Sequence, residues 1–334
     1  MNPKNKLRIF AWNVHGTFMS TLVKTGHDFY IPIKRGRPYN YDGKTRGYRW
    51  PRTARQISVP EIRKNKYDLI IFQTPQQVFE EQYKVLSAEQ RKLPKIYIVH
   101  SPFKKDPRRR RDRKELVRHI VLDMIPQIDA FVHITRYNMK QWTTFFPETK
   151  KKSVVIYHGI EIPKNIRWTG MDARAVNVTN FLPGRPECGN ALWFSMSKKI
   201  PMELYGMESE KYGGTGPVQN RLLRKKLARY RVYFNPTVAS SVPMAMLEAM
   251  SVGLPVVSMK STELPYIIKN GINGFISENR DILKNKLNLL LSNKKLAEKL
   301  GKNARKTIEN KFSINEFIYK WNKLLGEIIK KKNI

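Results

Sequence analysis

The sequence predicts an α/β protein of two doubly wound parallel-sheet domains, and three features carry that prediction. Short β-branched and aromatic runs alternate with helix-like stretches through the first half, as strands buried on both faces of a parallel sheet require. The alternation stops at a Gly/Pro linker near residues 158–163 and then restarts. A last stretch, 314–331, spaces its apolar residues at helical intervals, so it should return to pack on the body. The expected boundaries are 1–162, joined by that returning crossover helix, and 163–313.

The first strand is Leu7–Trp12, which ends at Asn13-Val14-His15-Gly16. Asp28–Ile33, Asp68–Phe72, Ile96–Val99, Ala130–Ile134 and Val154–Tyr157 read the same way, with helices over Val78–Leu93 and Glu115–Met124. This alternation argues for crossover connections on one sheet. His133 lies inside an apolar run and is expected in the core. In the second half, strands are expected at Ala175–Val178, Met202–Tyr205, Val232–Phe234, Pro255–Ser258 and Gly274–Ile276. Helices are expected over Arg221–Tyr230, Met244–Val252, Asp281–Leu291 and Lys295–Lys311. Two such sheets are expected to place a cleft between them, at the carboxyl ends of both sets of strands.

A chain of 334 residues, 41% hydrophobic and 11% aromatic, has ample material for buried cores and is not a disordered tail protein. Its 63 basic and 27 acidic residues give a net charge of +36, far beyond what solubility requires. The partner or the surroundings should therefore be anionic. Residues 1–150 hold 31 basic and 13 acidic side chains and residues 151–334 hold 32 and 14, so the charge belongs to the whole body. The single cysteine, Cys188, excludes an internal disulfide framework and a cysteine-based zinc site. No Asp-x-Asp, His-Glu-x-x-His or other metal-ligand spacing occurs, so no metal is expected. Neither Gly-x-Gly-x-x-Gly nor Gly-x-Ser-x-Gly is present, which disfavours a dinucleotide dehydrogenase and a serine hydrolase. The N-terminus lacks a signal-peptide core, and no stretch approaches the ~18 apolar residues of a membrane span. A cytoplasmic protein is expected, free or peripheral at the inner face of a membrane.

The most informative stretch is Phe234–Ile276. A strand ends at Asn235-Pro236, and a loop of small residues, Thr237 to Ser241, follows. Pro243 stands where a helix's first turn tolerates proline, and Gly253 supplies the C-terminal stop. Amides at such a helix start, around Ser240, Ser241, Val242, Pro243 and Met244, suit an anion or sugar hydroxyls. Glu248, one turn further in, is placed to grip paired ribose hydroxyls. The plainer alternative is a capped helix with a solvated glutamate.

This stretch resembles the family 4 glycosyltransferases of the GT-B fold, in which a Gly/Ser loop precedes a helix carrying Glu-x7-Glu. The likeness rests on Leu247-Glu248-Ala249-Met250-Ser251-Val252-Gly253-Leu254-Pro255-Val256-Val257 and on Asn270-Gly271-Ile272-Asn273-Gly274-Phe275. It implies that Glu248 is the second glutamate of the motif, on the donor ribose. Ser240 stands where the first would fall. Val154 to Glu161 resembles the family's inter-domain segment. The family's diphosphate-holding Arg and Lys map to Asn180 and Arg185, which leaves Arg185 as the phosphate clamp. Gly206 maps to the strand end beside the nucleotide base, and His100, after Ile98-Val99, to a strand tip near the reacting sugar. Gly16 fits the small-residue loop that lets phosphate or acceptor approach the backbone.

The resemblance implies a metal-independent, retaining hexosyltransferase that uses a UDP-sugar or GDP-sugar as substrate, with no separate cofactor. The charge points to an anionic acceptor. Lys104, Lys105, Arg108, Arg109, Arg110 and Arg111 follow His100 closely, and a second basic segment, residues 34–52, is interleaved with Tyr39, Tyr41, Tyr48 and Trp50. Such segments suit nucleic acid or anionic lipid headgroups. A membrane glycolipid or polysaccharide acceptor is favoured slightly over DNA. The alternatives are a DNA glucosyltransferase acting on a hydroxylated base, and a nucleic-acid-binding protein on an inactive GT-B scaffold.

Overall fold

The computed structural model describes residues 6–101, 110–239 and 241–332, with 110–114 as backbone only. The chain divides into two compact units, Met1–Tyr157 with Phe317–Ile334, and His158–Glu316. Among the described residues no helix is long and apolar enough to cross a membrane.

The first unit is built on seven parallel strands: β1 (Arg8–Ala11), β2 (Asp28–Ile33), β3 (Ala54–Ser58), β4 (Leu69–Phe72), β5 (Lys95–Val99), β6 (Ala130–His133) and β7 (Ser153–Val155). Their order is β3-β2-β1-β4-β5-β6-β7. The winding reverses between β1 and β4, so the tips of those strands form the unit's switch point. Helices α1 (Gly16–Leu22), α2 (Val59–Ile62), α3 (Gln82–Val85), α4 (Arg110–His119) and α5 (Arg136–Phe145) cover the sheet. Phe10, Trp12, Phe72, Tyr97, Phe131 and Trp142 belong to one buried cluster. His133 is fully buried as expected, and burial pushes its pKa down to about 3.

The second unit carries β8 (Asp172–Val178), β9 (Met202–Tyr205), β10 (Tyr230–Asn235), β11 (Val256–Met259) and β12 (Gly274–Ser277) in the order β12-β11-β10-β8-β9. Its helices are α6 (Asn190–Ser197), α7 (Asn220–Leu227), α8 (Met244–Ser251), α9 (Leu264–Ile267), α10 (Arg280–Ser292) and α11 (Lys294–Lys311). The last helix, α12 (Ile314–Lys332), leaves this unit and joins the first. It buries Phe317, Trp321, Leu325 and Ile328, and sets Phe317 and Trp321 edge-on to Phe18. The Asn322 side chain bonds His27 Nε2 at 3.2 Å.

Four local readings change. The helix expected over Val78–Leu93 is broken: α3 ends at an extended Leu86, and Ser87 and Gln90 then cap each other's amides at 2.9 and 3.1 Å. Ser87-x-x-Gln90 is a capping box that restarts the chain there. The helix expected to reach Tyr230 stops at Leu227, because Tyr230 already belongs to β10. β3 is an edge strand of sequence ARQIS with three exposed residues, which conceals it from any search for apolar runs. The second unit begins at His158 because Ile160 exchanges backbone hydrogen bonds with Phe312 and Ile314.

Candidate functional site

In the first unit, three polar side chains meet at the strand tips. Gln73, just beyond β4, donates its amide nitrogen to the Trp12 carbonyl at the end of β1. That carbonyl can only accept, so Gln73 Oε1 is the atom that faces His100 Nε2 at 2.9 Å, and Nε2 carries a hydrogen. The His15 ring lies across His100 at 4.3 Å between centroids, and Phe18 stands edge-on at 4.9 Å. Burial lowers the pKa of His15. The Gln73 backbone N–H donates in turn to Gln77 Oε1 at 2.7 Å, and Gln77 Nε2 donates to Asn40 Oδ1 at 2.8 Å.

Gln73→Leu should release this tautomer. In ring-nitrogen NMR of uniformly labelled protein, His100 should show a protonated Nε2 in the wild type and a mixture in the variant. The lost bond to Trp12 should cost about 1–3 kcal/mol of stability.

Gly16 opens α1. A Cβ there would lie 2.5 Å from Thr45 Oγ1, so the space the glycine leaves is taken by the chain's own Thr45.

The second unit's switch point lies between β8 and β10, and several expected residues gather there. Arg185 follows β8, is 40% exposed, and bonds Glu187 Oε1 through Nε at 3.0 Å. The Glu187 carbonyl accepts from the Val238 and Ala239 amides, which ties Arg185's turn to the loop before α8. Pro243 is the N-cap of α8 rather than part of its first turn, with Val242 buried before it and Met244 opening the helix. Ser241 is half-buried in that loop, and Ser240 lies outside the described residues. Gly206 has φ +139°, and a Cβ on it would lie 2.3 Å from the Thr179 carbonyl. Its absence of a side chain lets the tips of β8 and β9 touch. Asn180 Oδ1 accepts from the Met207 amide at 3.0 Å, so this residue braces the same tips.

Glu248 is only 7% exposed, not a solvated helix residue. Arg224 of α7 donates to its Oε1 at 3.2 Å. Burial raises the Glu248 pKa, and Arg224 pulls it back only in part. Arg224 was hidden within the basic run 221–226, and Gln73 and Glu187 carry no motif of their own. Lys104, Lys105, Arg108 and Arg109 lie outside the described residues, while Arg110 and Arg111 open α4. Among the described residues no three His, Cys, Asp or Glu side chains cluster as metal ligands.

Residues 214–307 match the family described as glycosyl transferases group 1. The sulfoquinovosyl transferase SQD2 of Arabidopsis thaliana is 34% identical over 100 residues, 28% of this chain and 20% of that protein. The capsular polysaccharide biosynthesis glycosyltransferase CapM of Staphylococcus aureus is 33% identical over 84 residues, 25% of this chain and 22% of that protein. The matched stretch thus spans about a fifth of the length of these curated relatives. Similarity in structure reaches further. Sucrose-phosphate synthase of Thermosynechococcus elongatus superposes with a TM-score of 0.73 at 13% identity, covering 98% of this chain and 100% of that one. HepE of Anabaena, solved with UDP, superposes at 0.71 and 13% identity over 97% of this chain and 100% of its own. Two parallel-sheet units, a helix that returns to the first, and a matched region around α8 lead to one assignment: the chain has the GT-B fold of these glycosyltransferases, and its residues 214–307 match the glycosyl transferases group 1 family.

Proposed function

We propose that the protein is a retaining glycosyltransferase, moving a sugar from a nucleoside diphosphate to a hydroxyl of an anionic glycan or glycolipid. One observation carries the reading: Glu248 is buried against Arg224 on a helix that starts at the second unit's switch point, inside the matched region. A carboxylate so held is oriented to accept from two ribose hydroxyls. Arg185 and the amides around Ser241–Met244 would take the diphosphate, whose developing charge they stabilise. His100 would bind the sugar or the acceptor from the first unit, which serves the acceptor while the second serves the donor. UDP is favoured as the nucleotide because HepE was solved with it. A carbohydrate or lipid-linked acceptor fits the names of CapM and SQD2.

In the transfer, the bond from the sugar's anomeric carbon to the phosphate oxygen breaks. A bond to the acceptor oxygen forms on the same face, and the acceptor's proton passes to the leaving phosphate. A thermal-shift screen of UDP- and GDP-sugars tests the donor site, since a ligand of the native state raises its melting point. One sugar nucleotide should raise Tm by several degrees, whereas a flat panel contradicts the reading.

A further inference from the structure

Residues 34–52 join β2 to β3 as a loop pinned to the strand tips of the first unit. Asn13 Nδ2 donates to the Gly43 carbonyl and to Thr45 Oγ1, both at 2.8 Å. The hydroxyls of Tyr48 and Thr17 meet at 2.6 Å, and Trp50 Nε1 donates to the Thr45 carbonyl at 3.0 Å. Arg37 holds the turn together from within, through the carbonyls of Asp42 and Lys44. The anchors fall on Asn13 and Thr17, either side of the His15 whose ring lies on His100.

The outer face of this fixed loop is cationic. Arg35, Arg46, Arg49 and Arg52 are all exposed, and none makes an ion pair or side-chain hydrogen bond among the described residues. Asp42 is the only acidic residue between 34 and 52. Among the described arginines outside this loop, Arg55, Arg174, Arg185, Arg224 and Arg305 do have a carboxylate partner. Four guanidinium forks on one braced loop, with no carboxylate partner among the described residues, have the planar geometry that matches phosphate, sulfate or carboxylate.

We propose that this loop is the docking platform for the anionic groups of a glycan acceptor, beside His100. The proposal rests on the transferase reading for its word acceptor. The loop's aromatics argue for a glycan over the other polyanions. Tyr41 is buried with its hydroxyl on Glu81, and Tyr48 and Trp50 spend their polar atoms on the loop itself, leaving Tyr39 alone strongly exposed. Single strands of nucleic acid are held by successive stacking faces, and membrane surfaces by an exposed aromatic or aliphatic wedge. This loop offers neither, only fixed cations.

The test compares the wild type with an R35Q/R46Q/R49Q/R52Q variant. A second variant, in which Lys294, Lys295, Lys299 and Lys306 become Gln, removes equal charge from α11. The probes are fluorescein-labelled hyaluronan oligosaccharide, a 20-base-pair DNA duplex, and phosphatidylglycerol vesicles. The loop variant should lose about tenfold or more in hyaluronan affinity with a shallower salt dependence, while the α11 variant should lose less than about threefold. Unchanged hyaluronan affinity, or equal losses in the two variants, would overturn the platform. A larger loss on duplex or vesicles than on hyaluronan would overturn the glycan as its occupant. Donor-induced thermal shift is read in parallel: if no sugar nucleotide shifts even the wild type, the transferase reading falls while the glycan result still stands or falls by itself.

Discussion

A Glu248→Gln protein should bind its sugar nucleotide roughly 10- to 100-fold more weakly while melting no lower than the wild type at neutral pH. The first half follows from replacing a charged acceptor by a neutral one, a change worth about 1.5–3 kcal/mol per hydrogen bond. The second half follows from the carboxyl's surroundings. Burial raises its pKa in the folded protein above the unfolded value, and Arg224 does not fully offset this. A carboxyl with a raised folded pKa contributes stability below its unfolded pKa, and that contribution is lost as pH rises through the folded value. The ionised Glu248 is therefore tolerated at a cost, and the neutral amide avoids it. The Tm difference between variant and wild type should grow in the variant's favour from pH 4 to pH 7. Arg224→Gln should do the opposite, lowering Tm more at pH 7 than at pH 4, because it strands the carboxylate. Calorimetry across pH with titration of donor checks both halves. A Glu248→Gln protein with unchanged donor affinity would remove the residue from the donor site.

Gly301→Ala should lower Tm by about 3–8 °C, although alanine is the better helix former. Propensity alone would gain about 1 kcal/mol inside α11. A Cβ at 301, however, would lie 1.9 Å from the Gly253 carbonyl, which terminates α8. No rotamer relieves a clash between a Cβ and a main-chain oxygen, so α11 must move off α8, and overpacking of this kind costs about 1–3 kcal/mol or more. The shift would also carry α8, so donor affinity should fall with Tm. Gly326 of α12 is the matched control, since a Cβ there meets nothing within 4 Å. Gly326→Ala should leave Tm unchanged or raise it. Equal behaviour of the two variants in thermal melts would contradict the close α8–α11 crossing.

The strands were legible wherever both faces are buried. Asp28–Ile33 and Met202–Tyr205 coincide with β2 and β9, and the other apolar runs agree within a few residues. β3 was not legible because an exposed edge strand has no need of apolar residues on its outer face. Helices α1, α5 and α6 were not read: their patterns are short or apolar all round. In the candidate site, the loop before α8 and the strand that ends before His100 could be read from local punctuation, while Arg185 was reached only through the family resemblance. Their partners could not. Gln73 reaches His100 across 27 residues of sequence and Arg224 reaches Glu248 across 24, and only the winding of the sheets brings them together. Asn180, a departure from the family's arginine, has a local reason: its carbonyl oxygen closes the β8–β9 tips.

The most direct test is release of nucleoside diphosphate from UDP- and GDP-sugars, followed with and without an anionic glycan, in wild type and Glu248→Gln. Slow release from one sugar nucleotide, quickened by the glycan and lost in the variant, is the result this account predicts. No release and no binding from any donor in the panel, by a wild-type protein that melts cooperatively, would contradict it.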